Sequence, residues 1–271
     1  GRIIAVDLKD PTPARWRELV PQQDIALDGA NFVGGKIIAT YVKDARGIAR
    51  IFDRNGAPLG EVASPGLGTV GGFGGNGKDT ETFFAYTDYL TPGRVLRLDI
   101  GTQAVSTWRE PKIAGDTSPY VTKQVFYTSQ DGTRVPMFIT HRKDLVKTGD
   151  TPTMLYGYGG FNVSLTPSFS PTVFAWLEMG GVYAVANLRG GGEYGDAWHE
   201  AGTKLKKQNV FDDFIAAAEF LVRDGWTKPA RLAISGRSNG GLLVGAVMLQ
   251  RPELFAAALP GVGVLDMLRY H

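Results

Sequence analysis

The sequence predicts two structural classes in succession: a short-stranded, all-β repeat over residues 1–115, then a layered α/β domain over residues 116–271 with a mostly parallel sheet and flanking helices. Three observations carry this reading. Before Trp108 the chain consists of β-branched and aromatic runs cut by glycine, proline and aspartate turns. Residues 1–7, 47–53 and 93–99 (GRIIAVD, GIARIFD, GRVLRLD) repeat at an offset of about 46, inside the range of propeller blades. After a hairpin over residues 123–140, apolar strand-like runs alternate with stretches of helical periodicity.

The repeat extends to neighbouring strands, because residues 36–42 (KIIATYV) correspond to 82–88 (TFFAYTD) at the same offset. A β-sandwich with coincidental spacing is the alternative. About two and a half units fit before residue 109, whereas a propeller closes with several blades. The expectation is therefore the last blades of a β-propeller, with the earlier blades outside this chain. The glycine-rich stretch 66–77 has neither the following helix nor the lysine-serine pair of a phosphate loop, and reads as an inter-blade connection. Residues 109–119, holding proline and glycine between two differently patterned regions, mark the domain boundary.

A hairpin over 123–140, turning at Asp131 and Gly132, opens the second domain. Strands are expected at 153–157, 181–187, 231–235 and 256–260. Between the second and third of these, Phe211, Phe214, Ile215, Ala218, Leu221 and Val222 recur at helical spacing. Asp212 and Asp213 are read as acidic residues at that helix's amino terminus, where the helix dipole favours them.

Gly236-Arg237-Ser238-Asn239-Gly240 fits the nucleophile elbow G-x-S-x-G, with an expected strand before it and a helix over 241–250 after it. The turn forces the serine into strain, so the positions two before and two after must be tiny. Ser238 is the candidate nucleophile, and the Asn239 N–H, at the helix amino terminus, is a candidate donor to an oxyanion. Residues 190–195 (GGGEYG) also satisfy G-x-G-x-x-G, with Asp212 and Asp213 about 20 residues on. A dinucleotide site is disfavoured because Trp198, His199 and Gly202 interrupt the helix that such a site requires.

Composition narrows the partners. With 29 basic and 27 acidic residues the formal charge is +2, and the basic residues are dispersed, so neither nucleic acid nor an acidic membrane surface is expected. No apolar run approaches the roughly 18 residues that span a bilayer, and the chain reads as soluble, with cytoplasm and periplasm both open. The absence of cysteine excludes a disulfide framework, a thiolate metal site and a cysteine nucleophile.

Four segments resemble the prolyl oligopeptidase family of serine peptidases: 156–162 (YGYGGFN), 187–195 (NLRGGGEYG), 207–214 (KQNVFDDF) and 238–244 (SNGGLLV). Residues 251–255 (RPELF) and 266–271 (DMLRYH) extend the likeness, which runs from Tyr120 onward. The resemblance implies an α/β-hydrolase domain beside a β-propeller that filters access to the site. It implies Ser238 as nucleophile and the Asn239 N–H and Tyr158 hydroxyl as oxyanion donors. Phe161 and Val264 match positions lining the substrate pocket, where apolar walls suit a proline ring. The reaction it implies is cleavage of short peptides after proline, without metal or cofactor. Arg237 stands where the family commonly has glycine, a departure familiar from relatives that cleave after basic residues. The alternatives are therefore an oligopeptidase of that specificity, an esterase, or a catalytically silent binding protein built on the propeller.

A serine hydroxyl needs a histidine to take its proton and a carboxylate to orient that histidine. In this fold both follow the serine, and only 33 positions remain after Ser238. Asp266 and His271 have the right order but not the room, while His141 and His199 precede the serine and read as structural. The sequence thus predicts a nucleophile-bearing portion of a longer enzyme, inactive and unstable alone, that needs the remainder of its polypeptide for acid and base.

Overall fold

The computed structural model describes residues 1–269; Tyr270 and His271, the end of the DMLRYH match, lie outside the described residues. The chain divides into two compact units, Gly1–Ile113 with Thr166–Ser168, and Ala114–Leu165 continuing from Phe169 onward. No helix among the described residues is long and apolar enough to cross a membrane.

In the first unit every sheet is an antiparallel meander. Strands β1 (Ile3–Ala5) and β2 (Arg17–Val20) form a pair; β3 (Ala26–Val33), β4 (Lys36–Lys43), β5 (Arg46–Asp53) and β6 (Pro58–Glu61) form one four-stranded sheet; and β7 (Thr69–Gly74), β8 (Glu81–Thr87), β9 (Arg94–Asp99) and β10 (Val105–Arg109) form another. The 46-residue repeat is thereby explained. β5 and β9 are the third strands of their sheets, β1 begins a pair that matches third and fourth strands, and β4 and β8 are second strands. The described blades number two and a half.

Burial follows from stacking. In β4, six consecutive residues are buried, because Ile37, Ala39 and Tyr41 pack with Val20 while Ile38 faces Phe73, Phe84 and Leu98 of the next sheet. A strand with side chains alternating to two covered faces reads as an uninterrupted apolar run. The stretch 66–77 differs from its expected role as a connection, since Thr69–Gly74 is the first strand of the second blade. Its glycines hide the alternation that marks a strand. A register shift between Gly72 and Gly74 places Phe73, at φ 60°, inward to stack on Phe84 with ring centroids 4.6 Å apart.

The second unit holds a six-stranded sheet: β11 (Tyr120–Thr128), β12 (Arg134–Arg142), β13 (Thr153–Tyr156), β14 (Val182–Ala186), β15 (Leu232–Arg237) and β16 (Ala257–Gly261). Their spatial order is β11-β12-β14-β13-β15-β16, antiparallel for the first two pairings and parallel for the rest. Helices are α1 (Pro171–Glu178), α2 (Asp196–Glu200), α3 (Gln208–Arg223) and α4 (Asn239–Gln250). α3 buries Val210, Phe214, Ala217, Ala218 and Leu221, spaced three and four apart, in one core with Val244 and Val247 of α4 and with Leu155, Ala184 and Ile234 of the sheet. Burying Phe214 or Leu221 in full contributes about 1.5–3 kcal/mol each. α1 packs on β12 and β14, and the alternation of Ala184 with Val185 assigns it the other face. This is the α/β-hydrolase arrangement that the elbow motif and the resemblance imply.

One expectation about α3 is corrected. The helix starts at Gln208, so Asp212 and Asp213 fall in its second turn, and Asp213 is fully buried. Its role is an ion pair with Arg189, described below.

Strand order also fixes where chemistry can sit. From β13 the chain goes to β14 on one side, and the next strand, β15, lies on the other. At such a switch point the loops leaving the carboxyl ends diverge and open a crevice. The two loops that meet there are 157–162, after β13, and the turn at Ser238, after β15.

Candidate active site

Ser238 occupies the sharp turn between β15 and α4, at φ 57° and ψ −116°. A non-glycine residue in that region costs about 1–3 kcal/mol, which the surrounding fold must supply. It does so by close backbone approach. A Cβ on Gly236 would lie 2.3 Å from the Gly240 carbonyl oxygen and 2.9 Å from that of Gly157; one on Gly240 would lie 2.6 Å from the Gly157 oxygen. The Ser238 N–H donates to the Gly261 carbonyl at 2.9 Å, tying the turn to the end of β16. Gly236, Asn239, Gly240 and Gly241 are buried while Ser238 is exposed. The turn therefore presents the hydroxyl outward above the first amides of α4, which have no acceptor within the helix.

The loop after β13 is laid against this turn. Gly157 fits between Phe214 and Leu243, and Gly160 lies against the Asn239 side chain, where a Cβ would come within 2.4 Å of Nδ2. Tyr158, half-buried, runs past Gly240, its ring edge 3.6 Å from where a Cβ would stand. Asn239 Nδ2 donates to the Tyr158 carbonyl at 2.5 Å. Lys207 Nζ donates to the Gly159 carbonyl at 2.8 Å and to Asn239 Oδ1 at 3.2 Å. Burial pushes the Lys207 ammonium down to about 8.

Phe161 and Asn162 then adopt φ 53° and 57°, two successive left-handed residues without a glycine. This strained corner carries Phe161 to 61% exposure, so it is not a core residue. Phe161, Asn162, His199, Lys207, Asn239 and Val264 share the lining of one cavity of about 690 Å³. Three of the sequence-derived site residues, Phe161, Asn239 and Val264, thus meet at one cavity. Ser238 and Tyr158 are not part of that lining; Asn239 links it to both, following the first in sequence and bonding the main-chain carbonyl of the second. His199 Nδ1 lies 2.7 Å from the Gly190 carbonyl and 3.1 Å from the Asn162 backbone N–H, between the two loops.

The glycines of 190–195 serve chain-on-chain packing. A Cβ on Gly190 would meet the Gly159 carbonyl at 2.7 Å, and one on Gly192 the Asn162 carbonyl at 2.6 Å. The helix that follows, α2, has five residues. Within this loop Glu193 is buried; its Oε1 accepts from Leu165 N at 2.9 Å and Asn187 Nδ2 at 3.2 Å, while Oε2 has no partner among the described residues. Burial pushes its carboxyl up to about 7 against those two hydrogen bonds.

Behind the loop, Arg189 Nη2 and Nε bind Asp213 at 2.7 and 3.0 Å, and the Arg189 N–H donates to the same carboxylate at 3.1 Å. Asp131, in the β11–β12 turn, accepts from Arg189 Nη1, which holds its carboxyl down at about 2. Lys207, Glu193 and Arg189 were not singled out from the sequence as site residues. Each sits in a segment quoted for its resemblance, and a lone charged residue gives no sign of which way it points. Among the described residues no group of three or more His, Asp or Glu side chains is disposed to hold a metal ion.

Comparison with known proteins gives concordant results. The model of the prolyl oligopeptidase N-terminal β-propeller domain matches residues 1–111, and that of the prolyl oligopeptidase family matches residues 167–271. Among curated proteins, the chain is 47% identical over 270 residues to a prolyl endopeptidase of Elizabethkingia miricola, and 39% identical over 284 residues to one of Dictyostelium discoideum. All of this chain aligns, but it spans only 38% and 37% of those relatives' length. A solved structure from a study of two prolyl endopeptidases superposes with a TM-score of 0.96 at 48% identity, covering 100% of this chain and 40% of that one. Prolyl oligopeptidase B of Galerina marginata, bound to a 35mer hydrolysis and macrocyclization substrate, gives 0.93 at 36% identity, with 100% and 39% covered.

Proposed function

The chain belongs to the prolyl oligopeptidase family of serine peptidases, and from that premise we propose that it supplies the nucleophile, the oxyanion donors and the proline pocket of an enzyme that cleaves short peptides after proline. Ser238 Oγ attacks the scissile carbonyl carbon as a general base takes its proton. The negative charge that forms on the carbonyl oxygen is received by the Asn239 N–H and the Tyr158 hydroxyl. The C–N bond then breaks, the amine leaves with the proton, and water releases the acyl group from Ser238. Since the chain spans 38% of the length of its prolyl endopeptidase relative, the base and its orienting carboxylate are assigned to the remainder of a full-length polypeptide, which these residues would need in order to act.

The observation that carries this reading is the strained, exposed Ser238 followed directly by Asn239, which lines a cavity with Phe161 and Val264. The cavity also bears on specificity. Its charged or titratable side chains are His199, Lys204 and Lys207, and no carboxylate lines it among the described residues. A basic side chain before the cleaved bond would enter against like charge; a neutral proline ring would not. This favours proline over the basic-residue alternative, with Arg237 exposed at the end of β15 and outside that lining.

The test uses the polypeptide at the relatives' full length. A proline-amide substrate should be turned over, an arginine counterpart far less, and Ser238→Ala should abolish both cleavage and labelling by a fluorophosphonate. Undiminished turnover by that variant would remove Ser238 from the mechanism.

A further inference from the structure

We propose that Lys207 is a positioning residue that clamps the two oxyanion-donor segments together, and that its protonation sets an alkaline limit on the reaction; this rests on the function proposed above. The two donors come from separate loops. Tyr158 belongs to the loop after β13, whereas the Asn239 N–H belongs to the first turn of α4. An oxyanion hole works only if both donors keep their places as charge develops.

Lys207 Nζ is the one side-chain group among the described residues shown bonding both segments, through the Gly159 carbonyl at 2.8 Å and Asn239 Oδ1 at 3.2 Å. Asn239 completes the circuit by donating Nδ2 to the Tyr158 carbonyl at 2.5 Å. The Asn239 amide plane is thereby oriented from both ends: its oxygen receives Lys207 and its nitrogen is directed at Tyr158. Gly160 packs against that amide, so no other side chain occupies the position. The clamp holds the donors without touching a reacting atom.

An ammonium donates to neutral carbonyl oxygens through charge-assisted bonds, stronger than those of the amine left after deprotonation. The charged or titratable side chains that share the cavity with Lys207 are His199 on α2 and Lys204 on the turn before it. No carboxylate pairs with it among the described residues, and burial alone brings its ammonium down to about 8. The clamp is therefore charged and tight below pH 8 and weakens as pH rises through that value. Its loss should act chiefly on kcat, through the two donors, with a smaller effect on KM because Lys207 shares the cavity lining with Phe161 and Val264.

The experiment measures kcat and KM against pH for a proline-amide substrate, in the full-length polypeptide, for wild type, K207M, K207Q, N239A and K207M/N239A. A second arm follows the Asn239 amide by NMR in protein selectively labelled with 15N at asparagine. Wild type should show an alkaline limb in kcat near pH 8 and a titration of the Asn239 amide at the same value. K207Q, which donates but does not titrate, should lose both. K207M should lower kcat about tenfold or more with KM changed far less, and should cost much less in the N239A background. A limb and an amide titration that persist in K207Q, or K207M and N239A effects that simply multiply, would overturn the proposal. Amide titration without any wild-type turnover would overturn the assigned function and leave the clamp standing. Turnover without the titration would do the reverse.

Discussion

Gly236 and Gly240 stand in van der Waals contact across the turn that holds Ser238, so closely that a methyl group on the first would lie 2.3 Å from the second's carbonyl oxygen. Both atoms are held by regular structure, one at the end of β15 and the other in the first turn of α4, and neither can yield. Gly236→Ala is expected to cost about 4 kcal/mol or more and to abolish labelling of Ser238. Gly93→Ala, where nothing lies within 4 Å, is the control and should change stability by about 0.5 kcal/mol or less. Chemical denaturation of the two variants side by side makes the comparison.

Tyr158→Phe isolates a single hydroxyl. The ring still packs past Gly240, and the carbonyl that receives Asn239 is main chain. The expected loss is about 10² to 10³ in kcat with KM much less affected, the size of one oxyanion donor. A KM effect with unchanged kcat would instead place the hydroxyl in substrate binding.

The two partners of Arg189 should not be equivalent. Asp213 is fully buried and binds the guanidinium by two oxygens, whereas the Asp131 side chain is 47% exposed. Asp213→Asn leaves a buried cation short of its counter-charge and should cost about 3–5 kcal/mol; Asp131→Asn should cost about 1 kcal/mol or less. Urea melts at pH 7 distinguish the two.

Glu193 predicts a pH dependence of stability with a definite sign. Its carboxyl is raised from 4.5 to about 7 in the folded chain, so folding favours the protonated form. That stabilisation is complete below about pH 4.5 and is lost as pH rises through about 7. At about 1.4 kcal/mol per pH unit the whole effect is on the order of 3 kcal/mol. Measured against Glu193→Gln, the wild-type protein should lose stability between pH 5 and pH 8, and a constant difference would contradict the shift.

The parts of this molecule legible in sequence were those whose signal is periodic or local. The 46-residue offset located equivalent blade strands because each blade repeats the same burial pattern, and the elbow was visible because Ser238 demands small neighbours at fixed positions. Where several constraints overlap, the pattern broke down. Residues 66–77 hid the strand Thr69–Gly74 because glycines have no side chain to alternate, and Asp213 looked like a residue favouring a helix start until Arg189, 24 positions earlier, proved to be its partner. Lys207 was illegible for the same reason: its partners, Gly159 and Asn239, lie 48 and 32 positions away. Only the closed fold brings them together.

Those separations bear on biosynthesis. The bond from Asn239 to Tyr158 closes a span of 81 residues, and that from Lys207 to Gly159 one of 48. Contacts so distant in sequence carry a loop-closure cost and form after local helices and hairpins. In a growing chain Ser238 is therefore present before the fold holds Asn239 and Tyr158 in register. If Ser238, Asn239 and Tyr158 act together as proposed, that geometry exists only in the closed fold, and an unfolded copy lacks it.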